Sequence, residues 1–528
     1  PSRRPRRRVV PRLLVRIAPL LVVLLSSGCI ARAREIRAAD VPPAARVDVE
    51  TPVRAHLMDG GVVVFSGGVA VDSARLVGTG MRWSFTRTDS VRVSGVALDS
   101  VVALETFREG DNDNATLAAS IPLSIIGGTV VAGGAIAIFK AIFGSCPTIY
   151  SDSAGVALLE AEGFSYSIAP LFEMRDVDRL RARADADGVV TLEVRNEALE
   201  THYTDRFGLI EVRHEADELI VPDQANSPLA LRRLVAPASA RDRFGRDLLP
   251  TLASRDGLAT RASDEDLRLA AGGGPTLDYI ELAIAAPAAD SAALLLGLRN
   301  SLLNTILLYE FMLEHAGAEA LDWLGEDLSA PLEALQLGRW YVEHMGLRVQ
   351  VRDGDRWRTV ARVGDSGPIA WKDVAVVVPV LEPDSLRVRV VYLADAWRVD
   401  RAAFALGARH PEARMLDVAS VTGADHAPDP DAARALRAVD GRRLVTTPTD
   451  RYWMRFDAGP HDGARTFLLD ARGYYTEWIR PEWLRASAEH RAVAFSPDDD
   501  VLPPLIARWA DVRDEFERRF FETRLPVR

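Results

Sequence analysis

Ser366 sits in the run Gly364-Asp365-Ser366-Gly367-Pro368, where flanking glycines leave a hydroxyl the room a nucleophile needs. Attack by serine also requires a histidine base, itself held by a carboxylate. The nine histidines are scattered singly, and the segment falls between two strand-like stretches, so it reads as a β-turn. His214-Glu215 lacks the second histidine of a zinc helix. Asp498-Asp499-Asp500 and Pro428-Asp429-Pro430-Asp431 lack the spaced ligands and glycine of a calcium loop and read as solvated turns. Gly272-Gly273-Gly274-Pro275 lacks the lysine of a phosphate loop. The residues therefore predict no catalytic group, no metal site and no cofactor.

Cys29 carries the sharpest chemical signal. Residues 1–28 hold seven arginines and no acid, and the apolar run Ile17 to Leu25 leads into Ser26-Ser27-Gly28-Cys29. A basic region, a short apolar region and small residues before a cut are the parts of a secretory signal. The run is too short for a membrane-spanning helix, which needs about 20 residues. Small residues ending on a cysteine resemble the bacterial lipoprotein signal, although Leu25 stands one place early and Ser26 takes the usual leucine position. That resemblance implies lipidation of Cys29; the alternative is an ordinary cleaved signal.

Cleavage would take the balance from 64 basic against 75 acidic side chains to 57 against 75, a formal charge of −18. Such a surface repels phosphate backbones unless basic residues cluster locally, so nucleic acid is not an expected partner. Of the two cysteines, lipidation of Cys29 leaves Cys146 without a disulfide partner. Cys146 has no basic neighbour in sequence to activate it and reads as a buried structural thiol.

The elements around these residues are mostly strands. Val53–Met58, a turn at Asp59-Gly60-Gly61 and Val62–Phe65 read as a hairpin, and further short strands run to Thr106. Five or six such strands suit a small closed barrel. Leu57-Met58-Asp59-Gly60 with Val101–Glu105 resembles the Sm-like barrels of bacterial proteins. Ala115 to Phe139 is free of charge, and two readings stand: a membrane-inserted helix or hairpin, or a segment buried in protein. Gly144-Ser145-Cys146-Pro147-Thr148-Ile149-Tyr150 after it resembles a group of bacterial envelope lipoproteins that share the barrel, this segment and a β-rich region downstream. That resemblance implies an address and brings no activity. The Gly364–Pro368 run resembles, one glycine short, the nucleophile segment of chymotrypsin-like serine proteases, but no histidine sits in that family's setting.

An internal repeat organises the rest. Val190–His214 matches Leu386–His410, with Asp205-Arg206 answering Asp400-Arg401 and Arg213-His214 answering Arg409-His410. Ala238-Ser239 then answers Ala419-Ser420, Asp256-Gly257 answers Asp440-Gly441, and Leu295–Arg299 answers Leu468–Arg472. Two related modules follow, in which the repeated Asp-Arg and Arg-His pairs are expected to serve the shared fold, for instance an Asp-Arg pair closing a strand end; the alternative is a site present in two copies. Leu386, Val388 and Val390 alternate with Arg387 and Arg389, as in a sheet with one wet face. Trp397-Arg398-Val399-Asp400-Arg401 resembles jelly-roll domains, several of which bind carbohydrate. Helices are predicted from Ser301 to about His315, over Ala330–His344, and at the C-terminus, where Trp509, Val512, Phe516 and Phe520 share one face.

The predicted fold is α+β and predominantly β. It comprises a signal (1–28), a tether (29–50), a small β-barrel (51–108), a Gly-rich hydrophobic segment (109–146), a β-sandwich-like module (147–300), a helical insert (301–345), a related module (346–480) and a C-terminal helical region (481–528). The expected role is a non-catalytic envelope lipoprotein, membrane-anchored and periplasmic or surface-facing, that binds a glycan or another envelope protein. The alternative is a hydrolase of cell-wall or extracellular polymer.

Overall fold

Alternating side chains and frequent turn residues make the protein predominantly β, as its sequence predicts. The computed structural model describes residues 47–49, 53–122, 146–313, 331–477, 501–520 and 524, with short gaps at loops inside those ranges. Cys29, the signal, most of the tether, the remainder of the apolar run after Pro122 and Asp498–Asp500 lie outside the described residues.

The N-terminal sheet has eight strands: β1 (Val47–Val49), β2 (Val53–Leu57), β3 (Val62–Phe65), β4 (Val69–Val71), β5 (Arg75–Trp83), β6 (Ser90–Ala97), β7 (Val101–Glu109) and β8 (Thr116–Pro122). Its order is β1-β4-β5-β3-β2-β7-β8, with β6 on β5. The predicted closed barrel is thus corrected to an open half-barrel, because among the described residues its end strands β1 and β8 do not pair. It is also wider than 51–108. β1 extends into the predicted tether, and β8, paired along β7, occupies the start of the predicted hydrophobic segment. Val53, Ala55, Val63 and Phe65 fill its core.

Four blocks of five strands follow. The first holds β9 (Thr148–Ser153), β10 (Val156–Glu162), β11 (Met174–Arg179), β12 (Val189–Arg195) and β13 (Glu200–Arg213). The second holds β14 (Leu219–Pro222), β15 (Pro228–Val235), β16 (Ser239–Asp242), β17 (Leu277–Ala285) and β18 (Ser291–Asn300). The third holds β19 (Leu347–Asp353), β20 (Arg356–Val363), β21 (Lys372–Pro379), β22 (Ser385–Leu393) and β23 (Trp397–Arg409). The fourth holds β24 (Arg414–Asp417), β25 (Ser420–Thr422), β26 (Leu444–Thr446), β27 (Arg451–Asp457) and β28 (Arg465–Glu477).

These blocks do not pair as consecutive modules. Sheet I, β10-β9-β12-β27-β25, and sheet II, β11-β28-β13-β24 with β26 on β13, join the first block to the fourth. Sheet III, β14-β15-β23-β18-β21, and sheet IV, β16-β17-β22-β19-β20, join the second to the third. The division into 147–300 and 346–480 is therefore corrected: one pair of sheets is nested in the chain between the two halves of the other. The physical reason is the long strand β13, whose ladder to β28 runs from Glu200↔Glu477 to Arg213↔Arg465. Strands that answer each other in the sequence repeat hold answering places, since β12 and β27 neighbour as β22 and β17 do, and β13 and β28 as β23 and β18 do.

Sheets I and II enclose Ile149, Leu192, Phe207, Met454 and Phe467. Sheets III and IV enclose Leu296, Val349, Val376, Val388 and Phe404. The outer side of sheet II meets β14 and β15 through Val177, Ile210, Ile220, Ala230 and Leu468, giving four sheet layers. Three helices close the inner unit: α1 (Asp264–Ala271), α2 (Pro331–His344) and α3 (Leu502–Phe520). The stripe on α3 is buried against that core at Trp509, Phe516 and Phe520, with Val512 partly buried beside it. The first predicted insert helix is short, Leu303–Ile306, and continues as a π-helical turn over Leu307–Leu313. Ser301 Oγ accepts from Leu303 N at 3.2 Å.

The repeated Asp-Arg pair closes no strand end. Thr204 faces Gly473 and Arg206 faces Arg472, so Asp205 is the extra residue of a β-bulge. Val399 faces Leu298 and Arg401 faces Gly297, which leaves Asp400 as the same extra residue. A bulge re-aims one side chain inside a ladder. These registers equate Leu298 with Gly473, two residues away from the match of Leu295 with Leu468, a slip that keeps every side chain on its own face.

Interleaved pairing makes a sharp prediction. A protease site engineered between residues 314 and 330, once cut, should leave two fragments that co-elute in native buffer and separate only in denaturant. Separation in native buffer would mean the modules pair consecutively.

Candidate functional site

The residues singled out for chemistry are mostly engaged in holding the fold. Ser366 is buried, and its N–H and hydroxyl both donate to Asn300 Oδ1, at 2.8 and 3.3 Å. Gly367 has φ +75°, and a Cβ there would stand 1.4 Å from Glu162 Oε1, so the turn exists to fit over Glu162. His214 bonds Thr466 Oγ1 and the Glu215 carbonyl, and His410 bonds the Pro228 carbonyl. Asp429 is the N-cap of the short helix Pro430–Ala435, accepting from Asp431 N and Ala432 N. Cys146 is buried, and that burial, with Glu162 and Glu200 nearby, pushes its thiol well above the usual value, which keeps it inert. Among the described residues no group of three or more side chains could hold a metal.

Titratable groups do gather where β11 and β21 meet. Lys372 pairs with Asp176 and, at 3.2 Å, with Asp178. Arg255 Nη1 donates to Asp373 Oδ2 at 2.9 Å. Gly297 makes room beside them: a Cβ there would lie 2.8 Å from Asp400 Oδ1 and 3.6 Å from Asp373 Oδ1. Burial pushes the Asp178 carboxyl up to about 7 against the pull of Lys372, and that of Asp400 up to about 6 against the pull of Arg255. The arrangement is an ion-pair seam between the two units. A second polar hollow, lined by Asp242, Arg246, Thr260, Asp278 and Tyr392, encloses ≈ 30 Å³. That is room for a water or two and not for a sugar ring.

The outer face of sheet IV is different. Leu386, Val388 and Val390 of β22 turn into the core, which aims Arg387 and Arg389 outward. Cross-strand register then sets Glu281 and Tyr279 of β17 beside them, Arg348 and Arg352 of β19 on the other side, and Trp357 and Arg362 of β20 beyond. The Arg389 guanidinium carbon lies 4.1 Å from the Tyr279 ring centroid and 4.1 Å from that of Trp357. Arg352 and Arg387 approach the same Trp357 ring at 5.5 and 6.0 Å. Each such contact is worth about 0.5–1 kcal/mol at an exposed site. Arg389 Nε donates to Glu281 Oε2 at 2.9 Å, and Arg387 also bonds Glu281. Against a burial that favours its neutral form, these bonds hold Glu281 below the usual carboxylate range. With Arg241 of β16 between Glu281 and Asp247, and Arg352 paired with Asp355 at 3.6 Å, six arginines gather here against three acids.

Alternation in β22 was a visible signal for two of these arginines. The other four are separated from them by up to about 150 residues and become neighbours only through pairing. Sheet I shows a related ladder, with Arg451 over Trp453 at 4.2 Å and Glu193 bonded to Arg195 at 2.8 Å. There Arg195, Arg451 and Arg455 are balanced by Asp152, Glu193 and Asp457, so the basic excess belongs to sheet IV.

No protein-family model and no curated protein matches the chain. Among solved structures it is similar to the crystal structure of the GH31 alpha-xylosidase from Xanthomonas citri, at 9% identity, 83% of this chain, 34% of that chain and a TM-score of 0.15. The chain spans about a third of that enzyme's length, and a score this low carries no argument about fold or activity.

The seam has a pH signature. Asp178 and Asp400 bind protons in the folded state that the unfolded chain, with ordinary aspartates near 3.9, has released. Stability should therefore fall as pH rises from about 4 to about 7. Thermal unfolding of Asp178→Asn should show a higher Tm than wild type at pH 8 and a similar Tm only below about pH 4. A variant with lower Tm at pH 8 would mean that the Lys372 pairing outweighs the burial.

Proposed function

We propose that the chain is a non-catalytic binding protein of the bacterial cell envelope, held to a membrane by lipid on Cys29 and contacting its ligand with the outer face of sheet IV. The observation that carries the reading is the Tyr279–Arg389–Trp357 stack, whose central guanidinium is fixed from both sides and by Glu281. A side chain held in place before binding loses little entropy on contact, which favours recognition. The face is also partly open to solvent, which suits a long ligand lying across strands. Residues 1–29 support the address through their basic, apolar and small-residue order. No described helix is long and apolar enough to cross a membrane.

Two measurements test this. Labelling with a fatty-acid probe in a bacterial host should mark wild type and not Cys29→Ala, and the variant should leave the membrane fraction. An unlabelled wild type would overturn the anchor. Insoluble envelope polymer from the host should retain the protein, with at least a tenfold loss of retention for Trp357→Ala and no release of soluble sugar. Steady release of reducing ends would instead establish the hydrolase alternative.

A further inference from the structure

We infer that the ligand of the sheet IV face is an acidic polysaccharide, one bearing carboxylates along its chain. This rests on the binding role proposed for that face and adds its chemistry. The protein as a whole is acidic, with a formal charge of −11. Yet Arg241, Arg348, Arg352, Arg362, Arg387 and Arg389 share one face with three acids beside them: Glu281, Asp247 opposite Arg241, and Asp355 at 3.6 Å from Arg352. Like charges gathered against the sign of the whole molecule cost self-repulsion, and an anion laid across them relieves it.

The planar fork of an arginine matches a carboxylate with two parallel hydrogen bonds. The sheet spaces these arginines on a grid of about 4.8 Å between strands and about 7 Å between alternate residues. Anions recurring along an extended polymer can meet several points of that grid at once, which multiplies weak contacts.

The rings narrow the backbone. A neutral sugar binds best to a bare aromatic face. Here the Trp357 ring is approached by Arg352, Arg387 and Arg389, and Tyr279 by Arg389. The face thus presents hydrogen-bond donors with rings behind them. The same cover works against nucleic acid, whose bases would need exposed rings to stack on.

Binding of the purified full-length chain to polygalacturonate, measured by calorimetry at low and high salt, decides the matter. Fully methyl-esterified polygalacturonate supplies the same backbone without charge. The expected result is binding that is at least tenfold weaker for the ester, weaker in high salt, and at least tenfold weaker for Arg387→Gln/Arg389→Gln. Trp453→Ala, on sheet I, should bind as wild type does and controls for folding. Equal binding to the ester would overturn the acidic ligand. Tighter binding to duplex DNA, or to vesicles of phosphatidylglycerol, would overturn the polysaccharide. Retention on host envelope polymer without any affinity for polygalacturonate would overturn the ligand class and leave the binding role standing. Loss of both would overturn the binding role itself.

Discussion

The ladder between Glu200–Arg213 and Arg465–Glu477 is the constraint on which the remaining architecture depends. It ties the start of the sheet region to its end, so everything between must fold back within that closure. The nested pair of sheets meets this demand because its own long strand, Trp397–Arg409, takes both neighbours, β15 and β18, from within the enclosed stretch. Each unit thereby buries a full two-sheet core, although neither follows the order in which the sequence repeats.

Where the nested unit turns from Leu393 into Trp397, Asp395 collects the contacts that fix it. Its φ is +63°, a conformation that needs support in a residue with a side chain. That support is dense: Arg398 donates at 2.7 and 3.1 Å, Trp509 Nε1 at 2.8 Å, Arg513 Nη1 at 3.1 Å and Ala262 N at 2.7 Å. One buried carboxylate thus fastens the C-terminal helix, the strand turn and the approach to α1 together. Charge-assisted bonds of this kind are roughly twice as strong as neutral ones, which offsets the cost of burying the ions.

Much of the strand content was legible because burial on one face imposes alternation, as Leu386–Val390 shows, and because Trp509, Phe516 and Phe520 keep helical spacing. The repeat was legible too, down to its Asp-Arg pair. Its meaning was not, since a bulge is a property of two strands and only one of them carries the motif. Partner choice was hidden for the same reason. A strand such as β13 specifies which face it buries and not which distant strand will bond to it. The arginine face escaped notice because its residues lie in four separate stretches, and a formal charge of −11 for the whole chain masks a local excess of the opposite sign.

Nesting also sets a timetable. About 250 residues separate the end of β13 from the start of the strand that completes its sheet. At about 5–20 residues per second of synthesis, that partner arrives roughly 12–50 s later. The nested unit can finish its sheets early, while β9–β13 wait with open edges that invite wrong pairing. The outer unit is thus the part of this protein whose yield should depend most on a chaperone that shields unpaired strands.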